Sequence, residues 1–254
     1  MKRRAAHRKI VATVECRMTS SRLPGKVLME SAGRPMLEHL VKRLSQVPKI
    51  DEIVLATTIN PADDEIARLA SRLGVGCFRG SEDDVLKRVL LAAKSVAADL
   101  IVEITGDCPL IDPGVVSQTL ELYLNNACDY ASNCLIRSYP IGMDTQVFST
   151  KLLARADREG RLLEDREHVS WYFVRNPRKF RLLTLVAPPE LTWPDLRLTL
   201  DEMDDFNLID RLFMSMRRAR PDFSCLDMIA YLKKNMRLVE INSRVRHRDP
   251  KIPK

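Results

Sequence analysis

No run in this chain approaches the roughly 20 consecutive apolar residues that a membrane helix needs, and no secretory apolar core follows the basic stretch Met1–Lys9. A soluble, cytoplasmic protein is expected. Its six cysteines, at 16, 77, 108, 128, 134 and 225, include no C-x-x-C pair. In a chain of enzyme size that argues for reduced thiols and against a zinc site. Two standard phosphate-binding fingerprints are missing as well. A Walker A loop ending at Gly25-Lys26 needs glycine where Ser20 stands and Ser or Thr where Val27 stands. Gly74 and Gly76 begin a dinucleotide fingerprint, but Arg79 occupies the place of its third glycine. A P-loop NTPase and a classical dehydrogenase are thereby excluded, and no internal repeat or low-complexity segment is found.

What is present is a chain of 254 residues, 45% hydrophobic, long enough to bury one large core. A net charge of +7 would suit a nucleic-acid binder if it were spread over a face. Instead Lys2, Arg3, Arg4, Arg8 and Lys9 crowd one end, and Arg244, Arg246, Arg248, Lys251 and Lys254 crowd the other, which leaves a slightly acidic body. Residues 1–9 and 244–254 read as disordered basic tails around a single domain over 10–243. Nucleic acid is not the expected partner; a polyanion binder acting through those ends is the non-enzymatic alternative.

The densest functional signal is RMTSSRLPGK at 17–26, which follows the apolar run Ile10–Val14. Arg17, Arg22 and Lys26 supply cationic donors, while Ser20, Ser21, Pro24 and Gly25 suit a loop that turns backbone N–H groups toward an anion. The spacing fits a phosphate grip and fits a solvated basic loop equally well.

Around it, short β-rich runs alternate with helical patterns. Strands are expected at Ile10–Val14, Glu52–Thr57, Val75–Phe78 and Asp99–Ile104. Met36, Leu37, Leu40, Val41 and Leu44 share one helical face after Pro35, and Ile66, Leu69, Ala70 and Leu73 share another before Gly74 ends the helix. Such alternation predicts an α/β fold with a mostly parallel sheet, whose ligand sits beyond the carboxyl ends of the strands. The loops after Val14 and Ile104 then share one site. From 129 to 187 the pattern loosens: strands at Thr145–Phe148 and Phe180–Val186, with a helix at Arg166–Val174 between them, suggest a flap or a dimer arm. A final strand at Leu196–Leu200 and helices at Asp204–Arg218 and Cys225–Lys234 complete the chain.

Two apolar strands end in an acid, at Thr105-Gly106-Asp107 and at Leu198-Thr199-Leu200-Asp201. Asp107 and Asp201 could converge on one Mg²⁺, which favours carboxylate oxygens and takes its other ligands from water and nucleotide phosphates. Taken singly, each also suits a helix cap or a turn.

With these segments in order, the chain resembles the cytidylyltransferases of the spore-coat polysaccharide type, similar to the enzymes that make CMP-activated sugar acids such as KDO and sialic acid. RMTSSRLPGK, DEIVLATT at 51–58, FRGSEDDVLKR at 78–88, TGDCPLIDP at 105–113, REHV at 166–169 and RLTLD at 197–201 carry the likeness. It implies a Rossmann-like nucleotide-diphospho-sugar transferase fold with a small β-containing flap. It also implies CMP transfer from CTP to a sugar, sugar acid or phosphorylated acceptor, with Mg²⁺ as cofactor, pyrophosphate as product and a homodimer as the assembly. Arg17 and Lys26, with Arg22 assisting, would grip the triphosphate, and Asp107 with Asp201 would hold Mg²⁺.

The likeness places Arg79, Ser81 and Asp84 beside the base and ribose. Ser81 reads equally as a helix cap with Glu82, Asp83 and Asp84 in the first turn. Asp144, in YPIGMD, and His168, in REH, would meet the acceptor; a plain turn and a structural histidine are the alternatives. Two positions depart from the family pattern: Glu15 stands where glutamine is common, and Gln146 where an acid is common. A glycosyltransferase is the competing enzyme class, but Asp107-Cys108-Pro109 lacks its usual D-x-D motif.

Overall fold

The computed structural model describes residues 8–217 and 222–246. Most of both basic ends, 1–7 and 247–254, and Arg218 of the expected helix lie outside the described residues. The first strand, β1 (Ile10–Glu15), leads into the cationic loop, a small hairpin of β2 (Glu30–Ser31) and β3 (Arg34–Pro35), and α1 (Met36–Leu44). Then come β4 (Glu52–Thr58), α2 (Asp64–Leu73), β5 (Gly76–Gly80), α3 (Val85–Ser95), β6 (Leu100–Thr105) and α4 (Pro113–Leu124). The alternation read from the sequence is present, with boundaries displaced by one or two residues.

Seven strands form one sheet in the order β5-β4-β1-β6-β8-β7-β9, where β7 is Tyr130–Ser132, β8 is Gln146–Ser149 and β9 is Leu182–Thr184. The first four run parallel, and β8 is antiparallel to both β6 and β7. The chain winds outward from β1 through β4 to β5, then crosses to the other side of β1 to lay down β6. The carboxyl ends of β1 and β6 therefore flank the topological switch point, where open α/β sheets leave a crevice.

The sheet buries both faces. Val14, Leu37, Leu40, Leu55, Val102 and Ile104 belong to the apolar cluster on one side, and Val11, Ala56, Val89, Ile101, Tyr130 and Phe148 to that on the other. A third cluster joins Leu198, Leu200, Leu208, Leu212, Met228 and Ile229 beneath α8 (Met203–Met216) and α9 (Cys225–Lys234). These clusters supply the non-directional part of stability, at about 25 cal/mol per Å² of apolar surface buried. The short α10 (Met236–Val239) follows.

The 129–187 stretch contributes β7, β8 and β9 to this sheet, together with α5 (Thr150–Glu159), α6 (Leu163–Glu167) and α7 (Trp171–Val174). The single helix expected over 166–174 is broken at His168–Ser170, where His168 takes an extended backbone with φ −109° and ψ 100°. Buried Asp165 fastens the break, accepting from Leu162 N at 3.1 Å and from Arg175 at 2.7 and 2.6 Å.

Leu196–Leu200 is not a strand. It is an extended segment that touches the 139–144 loop through one bridge, Ile141 to Arg197, and otherwise bonds the loop after β6. Its donors find loop carbonyls, so no ladder can propagate. Gly142, at φ +102°, lets the two segments close up; a Cβ there would stand 2.6 Å from the Leu198 carbonyl oxygen.

Candidate active site

The crevice at the switch point is a cleft of about 910 Å³. The loop after β1 forms one lip. Gly25, at φ +73°, turns the chain so that its N–H bonds Met18 O at 2.8 Å and Lys26 enters a turn of 3-10 helix pointing inward. Asp63 pins the same loop by accepting from Met18 N at 2.8 Å. The loop after β6 forms the floor. Gly106 N donates to Glu15 O at 2.9 Å, and a Cβ on Gly106 would stand 2.8 Å from that oxygen and from Cys16 Cβ, so only glycine lets the two loops meet this closely.

Asp107 and Asp201, 94 positions apart in the chain, converge at Lys26. Lys26 Nζ donates to Asp107 Oδ2 at 3.2 Å and Asp201 Oδ1 at 2.9 Å. Burial pulls the ammonium down, but the two carboxylates outweigh it and hold its pKa above the ordinary value. Asp201 also accepts from Arg197 at Oδ2, 2.6 Å away, and pairs with Arg22 at 2.8 Å. Burial would raise its pKa; Lys26, Arg197 and Arg22 overrule that and bring it to about 2. Arg22 Nη1 is buried with no hydrogen-bond partner, its ion-pair contact being Glu202 Oε1 at 4.0 Å, in a side chain that lines the cleft. Burying such a donor is unfavourable unless something accepts from it.

Arg17 and Ser20 line the same cleft. Arg17 is held only loosely, by 3.5 Å contacts to Glu82, and its side chain keeps 40% exposure, so it is available to a ligand. Asp144, clasped by Arg137, and His168, which follows α6 at the break before α7 and stands with Trp171, line the cleft as well. Eight of the eleven residues expected at the site thus share one cleft, and Asp84 is not among them.

Arg79 and Ser81 do not line it. Arg79 spends its donors on Thr58 O, Asn60 O and Asp64 Oδ1, at 2.8, 2.8 and 2.5 Å, which orders the turn after β4. Ser81 accepts from Asp84 N at 3.1 Å; the helix cap is Asp84, which accepts from Lys87 N at 3.0 Å. Asp84 is held in turn by Arg166, at 2.9 and 2.6 Å.

The sequence reading passed over Glu103, although an acid inside the apolar strand LIVEIT is a signal in itself. Glu103 is 3% exposed, and its side chain hydrogen-bonds that of Glu15 on the neighbouring strand. Burial raises the Glu15 carboxyl to about 7, against the hydrogen bond from Glu103 and the charge of Arg88, both of which lower it. Burial and the Glu15 charge push Glu103 well above its ordinary range. Glu15 thus binds a proton more tightly folded than unfolded. Its contribution to stability is complete below about pH 4.5 and disappears as pH rises through about 7. Glu15→Gln should flatten the fall in thermal midpoint across that window; parallel melting curves for the two proteins would refute the assignment.

Among the described residues no helix is long and apolar enough to cross a membrane. Residues 11–245 match the family described as cytidylyltransferase. The chain is 37% identical over 240 residues to an uncharacterized protein of Methanocaldococcus jannaschii, covering 94% of this chain and 97% of that one. It is 32% identical over 232 residues to the spore coat polysaccharide biosynthesis protein SpsF of Bacillus subtilis, covering 89% and 95%. The solved structure of a cytidylyltransferase from Leptospira borgpetersenii superposes with a TM-score of 0.87 at 33% identity, over 92% of this chain and 97% of that one. With the parallel sheet, the switch-point cleft and the cationic loop in place, the chain belongs to the cytidylyltransferase family and is a nucleotidyltransferase.

Proposed function

We propose that this protein transfers CMP from CTP to a sugar, sugar acid or phosphorylated sugar, releasing pyrophosphate, in the synthesis of a surface polysaccharide or glycoconjugate. The observation that carries this reading is the convergence of Arg22, Lys26, Asp107 and Asp201, with Arg22 Nη1 buried and lacking an acceptor. A phosphate oxygen supplies that acceptor. Arg17 and Arg22 offer fork-shaped donors to the triphosphate and Lys26 a point charge, so charge on the departing pyrophosphate is met by groups already in position. The acceptor oxygen forms the new bond to the α-phosphorus as the bond to pyrophosphate breaks in line.

The donor set fits Mg²⁺: two carboxylates from different segments already share one cation, and the ion needs only one or two such ligands beside water and phosphate. Asp107 and Asp201 would hold it, and when bound it would neutralise phosphate charge. Asp144 and His168 line the acceptor side. The test is pyrophosphate release with each ribonucleoside triphosphate and Mg²⁺ against a panel of sugars, sugar acids and sugar phosphates. Release with CTP and one acceptor class is expected; silence with CTP across the panel would overturn the reading.

A homodimer accompanies this proposal, supported by the exposure of Ile136, Leu162, Leu163 and Val186 within the 129–187 stretch, Leu163 at 84%. Sedimentation should show a dimer that Leu163→Asp weakens. A monomer at high protein concentration would exclude it.

A further inference from the structure

Beneath the phosphate-binding lip, the floor of the cleft holds a polar cluster that the transfer reaction does not use. Glu103 on β6 stands in register with Gln146 on β8, and its side chain hydrogen-bonds Glu15 on β1. Gln146 is fixed: its Oε1 accepts from Tyr130 at 2.6 Å and from Ser170, which leaves its amide N–H groups as the free end. Arg88 is near enough for its charge to act on Glu15, yet its named donors go to the carbonyls of Ala56, Ser81 and Glu82. Two acceptors remain. Apart from the proton that the two carboxyls share, Oε2 of Glu15 and Oε2 of Glu103 are buried and have no hydrogen-bond donor from the rest of the described residues, in side chains that line the cleft.

Two orphaned acceptors on carboxyls that touch each other call for donors arriving together. A hydroxyl brings one O–H, whereas a primary ammonium brings several N–H groups and a positive charge that suits a carboxylate. The neighbours of Glu103 also decide which half of the reaction is served. Its register partner Gln146, and Ser170 bonded to Gln146, line the cleft together with Asp144 and His168, the residues assigned above to the acceptor. We propose that Glu15 and Glu103 form a subsite for a protonated primary amine of the acceptor, so that the preferred substrate is an amino sugar. This rests on the acceptor reading given above.

The experiment is equilibrium binding by ligand-detected NMR, with CTP present and no turnover required. The probes are glucose, a series of aminodeoxy glucoses that carries the amine at each hydroxyl position in turn, and their N-acetyl forms. At least one free amine is expected to bind about tenfold more tightly than its N-acetyl form and than glucose. Glu103→Gln and Glu15→Gln should each erase that preference while CTP still binds, which shows that the variants are folded. Equal binding of amine and N-acetyl forms to the parent protein would overturn the proposal. So would a preference that survives both substitutions, or variants whose only change is lost discrimination of CTP from UTP, which would make the pair a reader of the base. Because no product is measured, failure here is separate from failure of CMP transfer, which the pyrophosphate assay reports.

Discussion

Asp107→Ala should leave a folded protein whose rate of pyrophosphate release is lower by about three orders of magnitude, the scale seen when a preorganised electrostatic group is removed from a reacting phosphate. The structure separates the two duties of this residue. Its backbone carbonyl accepts from Leu200 N at 2.8 Å and from Thr199 Oγ1 at 3.1 Å, and so holds the segment that brings Asp201 into place. Its carboxylate, with 25% side-chain exposure, meets only Lys26, Thr105 and the adjacent Cys108 thiol. Alanine deletes the second duty and keeps the first. A thermal midpoint near that of the parent is therefore part of the expectation, and undiminished release at saturating CTP would remove Asp107 from the machinery. Asp201→Ala would be a poorer test, since it also takes a partner from Lys26, Arg22 and Arg197.

Arg197→Leu should be the most destabilising single change at the site, by about 3–5 kcal/mol, because it leaves buried carboxylates without their counter-charge. Arg197 is 5% exposed and Asp205 wholly buried. The guanidinium donates to Asp205 at 2.8 and 3.1 Å and to Asp201 at 2.6 Å. Asp205 also accepts from the backbone of Asp201 and Glu202, at 2.9 and 3.0 Å, and from Asn242 Nδ2 at 2.8 Å. Those bonds hold its carboxylate in place, so loss of Arg197 cannot be relieved by movement into water. For a chain of this length the loss corresponds to roughly 10 °C or more in thermal midpoint. A fall below about 1 kcal/mol in denaturant unfolding would show that the network is dispensable.

Much of this architecture was legible in the sequence, and the exceptions share a cause. Strands β1, β4, β5 and β6 and the helices between them announce themselves because each is a local pattern of burial. Leu196–Leu200 carries the same apolar pattern, yet its partners are loops, and nothing local distinguishes an extended segment in a core from a strand in a ladder. The short β7 and the break at His168–Ser170 involve pairings such as Ser170 with Gln146 and Tyr130 with Gln146, which no local pattern of burial announces. Asp84 rather than Ser81 caps α3 because Arg166, remote in the chain, holds it there. At the site, the cationic loop and the acids ending apolar runs singled out Lys26, Asp107 and Asp201, and the fold brings these three into contact. Arg79 misled because an arginine beside a phosphate motif looks the same whether its donors are free or spent on carbonyls. Glu15 and Gln146, noticed only as departures from the family pattern, are neighbours of the same residue, Glu103.

Gly142 has a further consequence. Its missing side chain lets the 139–144 loop lie directly on 196–200, through Ile141 N to Leu196 O at 2.9 Å and Leu198 N to Ile141 O at 2.8 Å. That same segment runs on to Asp201 and is tied to the loop bearing Asp107. Asp144 and Asp201 are thus mounted on one rigid bracket, joined backbone to backbone with no side chain between them to absorb movement. On the proposed reading, a sugar seated against Asp144 and phosphates drawn toward Asp201 would load the same beam from its two ends.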